Sequence, residues 1–207
     1  MNSEFGLPRT AIVTGGAKRI GAMLVRALAA DGWHVAIHCN SSHDEADALC
    51  AELRAAGQGA HVIVADLADA DSAAAIVAQA QVDAPPLGML VNNASRFDYD
   101  TITDFDVTGW DRHLDVNLRA PALLTQAFAA ALPDGLQGLI VNLLDVKLYA
   151  LNPDYFSYTI SKFGLLGLTE LSARALAPRI RVAGIAPAVT MVSGPQSREN
   201  FAAAHVH

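Results

Sequence analysis

The sequence predicts an α/β fold: a doubly wound parallel sheet, three layers deep, with helices on both faces. Three observations predict it. Short apolar runs alternate with amphipathic stretches of helical period along most of the chain. The first run turns through glycines, Thr14-Gly15-Gly16, directly into a helical pattern. No long linker, charge run or repeat interrupts the alternation, so residues 1–207 read as one domain. Strand and helix in strict alternation imply parallel strands joined by crossover helices.

The elements follow in order. Residues 1–8 read as a leader before a first strand at Thr10–Thr14. In Arg19–Ala30, Ile20, Met23, Leu24, Ala27 and Leu28 share one face, and Asp31-Gly32 stops the helix. Trp33–His38 is a second strand; Ser42 is placed to cap a helix that runs to Ala56 and closes at Gly57. Ala60–Ala65 is a third strand, Asp69–Gln81 a helix, and Met89–Asn93 a fourth strand. Val107–Ala131 is a long helical pattern broken or kinked near Pro121. Leu139–Leu143, Phe156–Leu176 and Ile180–Ile185 complete a strand, a helix and a sixth strand. Beyond Pro187 comes a polar stretch, Ser193–Asn200, then an Ala-rich end. A seventh strand with its helix is not read there, and the expectation is a truncated C-terminus.

Composition narrows the class. Hydrophobic residues make up 52% of the chain and charged ones 17%, which supports a sizeable core. A net charge of −7 argues against nucleic acid, whose phosphates require Lys and Arg, and against an anionic membrane surface. No apolar stretch reaches the roughly 20 residues of a bilayer crossing. Cys39 and Cys50 are too few for a disulfide framework. The expectation is a reduced, soluble, cytoplasmic protein with no metal.

Ligands of such sheets bind beyond the carboxyl ends of the strands, at the point where strand order reverses. The candidate site therefore gathers Thr14–Gly21, His38–Ser42, Asp66, Asn92–Phe97, Asp145 and Pro187. In Thr14-Gly15-Gly16-Ala17-Lys18-Arg19-Ile20-Gly21, Gly15 permits a tight turn and Gly21 close packing of helix on strand. Main-chain N–H groups there face an anion, and Lys18 and Arg19 add charge. The second strand ends without an acid until Asp44, which favours a 2′-phosphorylated dinucleotide; Asn40, Ser41 and Ser42 are donors for that phosphate. His38 reads equally well as a cofactor contact or a core histidine. Tyr158 and Lys162, four residues apart, share a helical face. An ammonium beside a phenol lowers its pKa and readies it for proton transfer.

These motifs resemble the short-chain dehydrogenase/reductase family, a Rossmann-like fold, over roughly Arg9 to Asn200. Its fingerprint, Thr-Gly-x-x-x-Gly-x-Gly, is met except that Arg19 replaces the middle glycine. Tyr158-Thr159-Ile160-Ser161-Lys162 matches its Tyr-x-x-x-Lys signature. The resemblance implies NADPH as cofactor, Lys162 on the nicotinamide ribose, and Asp66, followed by Leu67, at the adenine. It implies Asn93 and Ala94 lining the cofactor, Asn117 holding a water in the proton relay, and Pro187 and Thr190 bordering the nicotinamide. It also implies a homotetramer built through Val107–Ala131 and Phe156–Leu176.

A narrower resemblance is to the pteridine reductases, which carry Thr-Gly-x-x-Lys-Arg-x-Gly and Asn-Ala-Ser-x-Phe. Asp145 stands where most relatives have the catalytic Ser, and this too agrees with them. The resemblance implies Arg19 and Ser95 touching cofactor phosphate or substrate, Phe97 stacking on a flat pteridine, and Asp145 and Tyr158 managing the proton. Two alternatives stand beside it. One is a carbonyl reductase, acting on a 3-oxoacyl thioester or a sugar. The other is an NADPH-binding sensor without catalysis.

Overall fold

The computed structural model describes residues 9–188. Six strands form one parallel sheet: β1 (Thr10–Val13), β2 (His34–Cys39), β3 (Ala60–Val64), β4 (Leu87–Asn92), β5 (Gly138–Leu143) and β6 (Ile180–Ile185). Their order is β3-β2-β1-β4-β5-β6, so succession reverses between β1 and β4. That reversal opens a crevice at the carboxyl ends of these two strands. The expected leader (1–8), Thr190 and the region of the expected C-terminal truncation lie outside the described residues.

Alternating side chains split each strand between two apolar layers. Ala11, Val13, Val35 and Ile37 pack with Val25 of α1 (Arg19–Ala30) and Leu49 of α2 (His43–Ala55). Ile12, Leu90 and Ile140 pack with Ile76 of α3 (Ser72–Gln79) and with Leu124 and Phe128 of α5 (Ala120–Ala131). The long helix α6 (Phe156–Leu176) lies along β6 and against α4 (Val107–Leu114).

Four local details differ from the sequence reading. The third helix begins at Ser72, not Asp69, because Asp69 forms a turn in which its carboxylate accepts the Asp71 N–H at 3.1 Å. Ser42 occupies the N-cap of α2 but its hydroxyl makes no capping bond. The Val107–Ala131 pattern is interrupted before Pro121, by a π-helical turn at Asp115–Arg119. Pro121 has no N–H to give the Asn117 carbonyl, so the α-helical ladder yields in the turn ahead of it. A short 3₁₀ turn, Val146–Leu148, follows β5 and was not read from the sequence.

The sheet centre holds a buried polar chain. The Asn92 amide donates to Asn142 Oδ1 at 2.8 Å, and Asn142 donates to Thr169 Oγ1 at 2.8 Å. It joins β4, β5 and α6 just below the crevice.

Candidate active site

The phosphate-type turn is built by close approach. A Cβ on Gly21 would lie 2.1 Å from the Gly15 carbonyl oxygen and 2.8 Å from Asn93 Nδ2, so no side chain fits there. Gly15 has φ +59 and backs onto Ala94. Arg19, in the place of the fingerprint's middle glycine, also has positive φ (+50). The substitution has kept the left-handed backbone and carries a strain of about 1 kcal/mol. Asn93 clamps the turn from the neighbouring strand end, its amide donating to the carbonyls of Thr14 at 2.8 Å and Gly15 at 3.0 Å.

His38 holds the same turn from the other side. Its Nδ1 accepts the Gly15 N–H at 3.2 Å, which puts the ring proton on Nε2, facing the Ala65 carbonyl at 3.1 Å. The ring is 1% exposed, and burial pushes its pKa below the usual value. His38 is therefore a buried neutral strut that also lines the cleft.

One cleft of about 1190 Å³ runs across the crevice. At the β1 and β2 ends its wall includes Gly15, Lys18, Arg19, Ile20, Gly21 and Asn40. Along the middle it includes Asp66, Leu67, Asn93, Ala94 and Ser95. At the β5 side it includes Phe97, Asp145, Tyr158, Lys162 and Pro187. The described residues to which the sequence assigned a ligand or catalytic role thus share one wall, apart from Ser41, Ser42 and Asn117; Thr14, Gly16, Ala17, Cys39 and Asn92 of the candidate segments do not line it. Ser41 and Ser42 stand beside the cleft at the start of α2 and do not line it, and Asn117 sits behind it.

The cluster around Tyr158 is compact. Tyr158 donates to Asp145 Oδ2 at 2.5 Å. Lys162 Nζ donates to the Leu143 carbonyl at 2.7 Å and lies 5.5 Å from the Tyr158 ring centroid. Tyr158 is 5% and Lys162 3% exposed. Here the structure corrects the expectation of a lowered tyrosine pKa. Burial first, then the Asp145 charge and its hydrogen bond, push the Tyr158 hydroxyl well above its ordinary value. Burial pulls Lys162 down to about 8, opposed by Asp145, so the ammonium stays charged at neutral pH.

Other expectations need correcting. Lys18 is not a free cation: its ammonium meets Glu45 at 2.7 Å, an acid that enters from the first turn of α2. Phe97 already has a stacking partner, Tyr155, at 4.1 Å between centroids and 7° between planes, and meets Tyr158 edge-on at 4.6 Å. The Asn117 amide donates to Arg96 O and Ser161 Oγ, and its oxygen accepts the Arg96 N–H at 2.8 Å. The amide is thus spent on tying the loop after β4 to Ser161 of α6.

The cleft residues that sequence reasoning missed include Tyr155, Lys147, Asn152 and Arg112. Helical spacing gives no signal for Tyr155, because it stands at the N-cap of α6, just outside the helix. It sits at φ +56, a left-handed backbone that a bulky residue adopts only when held, here by Phe97. Lys147 follows Asp145 by two residues, and its N–H donates to the Asp145 carboxylate at 2.8 Å.

Comparison with known proteins bears directly on this arrangement. A short chain dehydrogenase family model matches residues 9–201. FolM alternative dihydrofolate reductase 1 from Brucella canis, in a crystal structure with NADP, has a TM-score of 0.90 and 44% identity, over 93% of this chain and 76% of that one. A blue fluorescent protein from a metagenomic library, solved with NADPH, has a TM-score of 0.81 and 38% identity, over 86% of this chain and 73% of that one. In sequence, the 3-oxoacyl-(acyl-carrier-protein) reductase FabG of Staphylococcus aureus is 32% identical over 182 residues, 87% of this chain and 74% of the relative. On the family match over residues 9–201 and this relative, the chain belongs to the short-chain dehydrogenase family.

Proposed function

We propose that this chain reduces a pteridine with NADPH as hydride donor. The observation that carries the reading is the Tyr158–Asp145 contact: a carboxylate, not a hydroxyl, engages the proton-donating tyrosine. A carboxylate accepts hydrogen bonds from the amino and ring N–H groups of a pterin, whereas it repels a carbonyl oxygen. That disfavours the 3-oxoacyl or sugar reductase reading. The similarity to the Brucella FolM structure supports the same conclusion.

The residues present fit the cofactor. Where a Cβ on Gly21 would close the turn, bare backbone approaches backbone and leaves N–H groups for a pyrophosphate. Arg19 supplies an unpaired guanidinium at that turn among the described residues. Asn40 follows β2 on the cleft wall with no acid before Asp44 in the chain, which suits a 2′-phosphate, with Ser41 and Ser42 next along the chain. Asp66 and Leu67 would hold the adenine, Asn93, Ala94 and Ser95 the middle of the dinucleotide, and Lys162 and Pro187 its nicotinamide end. When bound, NADPH supplies the hydride.

The chain's own residues handle the proton. Reduction of a C=N bond places hydride on carbon and a proton on nitrogen, giving CH–NH. The Tyr158 O–H bond breaks as the N–H bond forms, and the phenolate left behind faces the Lys162 ammonium. Asp145 keeps Tyr158 protonated until then and anchors the substrate's N–H edge. Phe97 and Tyr155 form a paired aromatic wall beside the ring. Asn117 holds the Arg96 backbone, and with it the loop that carries Phe97.

Assembly through α6 accompanies this reading. Ile160 (38% exposed), Phe163 (40%) and Leu171 (71%) lie uncovered on that helix and suit a homotetramer. Light scattering of the purified protein tests it. No helix among the described residues is long and apolar enough to cross a membrane.

The function is tested by mixing the protein with NADPH and dihydrobiopterin and following loss of the reduced-nicotinamide absorbance. Turnover is expected. No turnover, together with rapid turnover of a 3-oxoacyl thioester, overturns the reading.

A further inference from the structure

We propose that Asp100 is a positioning residue for the reduction: it clasps the loop that carries Phe97 to the helix that carries Tyr158. The aromatic wall and the proton donor are thereby held at one spacing. The inference rests on the pteridine reading for its substrate and on hydrogen bonds for its geometry.

The first four N–H groups of a helix have no partner within it. In α6 those groups lie where the chemistry sits, since Tyr158 is its third residue. The N-cap residue of α6, Tyr155, has φ +56 and a side chain that makes no capping bond. Tyrosine carries no short acceptor for that purpose, as Ser, Thr, Asp and Asn do. The acceptor comes instead from the loop after β4, 57 positions from Ser157 in the chain. Asp100 Oδ1 accepts the Ser157 N–H at 3.0 Å, and the Asp100 main-chain carbonyl accepts the Phe156 N–H at 3.2 Å. One half-buried residue thus serves two N–H groups of the first turn, with an anion where the helix dipole favours one. The Ser157 hydroxyl is buried without a hydrogen-bond partner among the described residues, so that side chain takes no part in the clasp.

The same loop is anchored twice more, nearer the crevice. The Arg96 main chain bonds in both directions with the Asn117 side chain, and the Asp98 N–H donates to His113 Nε2 at 3.2 Å. His113 is 1% exposed, and its Nδ1 faces the Gly109 carbonyl at 2.8 Å, which leaves Nε2 as the acceptor. Asn117 also reaches α6, but at Ser161, about one turn beyond Tyr158. Asp100 meets the helix at its first turn.

Phe97 stands between Arg96 and Asp98. Its ring lies face to face with Tyr155 at 4.1 Å and edge-on to Tyr158 at 4.6 Å. A shift of this loop against α6 therefore moves the aromatic wall relative to the phenol that delivers the proton. Hydrogen bonds weaken steeply off their angle, so two at one residue fix direction as well as distance.

The test measures kcat, KM for dihydrobiopterin and the Kd of NADPH in wild type, Asp100→Ala, Asp100→Asn and Ser157→Ala, well below each melting midpoint. Hydrogen–deuterium exchange is followed in the peptides that hold residues 96–100 and 156–158. Asp100→Ala keeps the main-chain half of the clasp and should fold. Its kcat should fall about tenfold, within the roughly 100-fold that a misplacement of about 1 Å can cost. Its KM should rise, its affinity for NADPH should hold, and both peptides should exchange faster. Asp100→Asn still offers Oδ1, and Asn caps as well as Asp, so kcat and KM should stay near wild type. Ser157→Ala should do the same. Unchanged kcat and KM in folded Asp100→Ala overturn the positioning role, as does a loss that Asp100→Asn shares in full. Faster exchange confined to residues 156–158, or a loss of NADPH affinity as large as the loss in kcat, overturns it too. If wild type reduces a 3-oxoacyl thioester and not dihydrobiopterin, the pteridine reading falls alone, and the kcat comparison is made on the thioester. If it reduces neither, both proposals fall.

Discussion

Replacing Asp145 by Asn removes one charge and keeps the shape of the group that Tyr158 touches. In the wild type Tyr158 donates to that carboxylate at 2.5 Å, in a site where the phenol is 5% exposed. A hydrogen bond to a charged partner is worth about 1.5–3 kcal/mol. At about 1.36 kcal/mol per pKa unit, its loss should bring the Tyr158 pKa down by roughly 1–2 units. Asp145 also raises the pKa of Lys162, though through space alone, so the lysine should move the same way by less. A tyrosine that must be protonated to deliver its proton makes kcat fall as pH rises through the controlling pKa. The alkaline limb of the kcat profile should therefore shift to lower pH in Asp145→Asn, whichever of the two groups controls it. The assay is steady-state pteridine reduction across pH at saturating NADPH. A limb that stays in place or moves to higher pH refutes the reasoning, because no other arrangement of these three groups reverses the sign.

Three further outcomes follow from the turn. Arg19→Gly relieves left-handed strain of about 1 kcal/mol, less about 0.4–1 for the looser unfolded chain, so the cofactor-free melting midpoint should hold or rise slightly. NADPH affinity should fall severalfold in the same variant, and a lower midpoint with unchanged affinity contradicts the assignment. Gly21→Ala should destabilise the fold by about 1–3 kcal/mol in a denaturant titration, since its Cβ would overlap the Gly15 carbonyl. His38 has a folded pKa below its unfolded value, so its contribution is present above the unfolded pKa of 6.5 and lost as pH falls through the folded one. Protonation takes the Nδ1 lone pair from the Gly15 N–H, so NADPH affinity should weaken in that acidic window, and His38→Gln should flatten the dependence. His34 and His61 also carry lowered pKa values, but His34 begins β2, far along the strand from the turn, so they should affect stability rather than cofactor affinity.

Much of this architecture is legible because period and punctuation agree. Arg19–Ala30, Phe156–Leu176 and Ile180–Ile185 carry the boundaries their patterns indicate. The π turn at Asp115–Arg119 is not legible, because one extra residue in a turn barely alters an apolar stripe; Pro121 marks the cause two residues beyond it. The fingerprint shows that Arg19 replaces a glycine but not that its backbone stays left-handed. Four-residue spacing brings Tyr158 and Lys162 onto one face but says nothing about solvent. Burial and Asp145 together set the tyrosine shift and reverse its expected direction. The Phe97–Tyr155 stack joins two loops 58 positions apart in the numbering, a tertiary contact that no local pattern encodes.

The Asn92–Asn142–Thr169 chain acts as a register key for the site. Asn92 and Asn142 are directly paired across β4 and β5. The chain that leaves Asn92 becomes the clamp on the phosphate turn, and the chain that leaves Asn142 reaches Asp145 three residues later. Slip of one strand past the other by a single residue would turn one amide to the opposite face of the sheet and leave its partner unsatisfied, at about 1–3 kcal/mol per buried group. An all-apolar sheet centre would resist that slip less. The amide pair therefore sets the relative height of the two strand ends, so that the glycine turn clamped by Asn93 and the Asp145–Tyr158 pair open onto the crevice at a matched level.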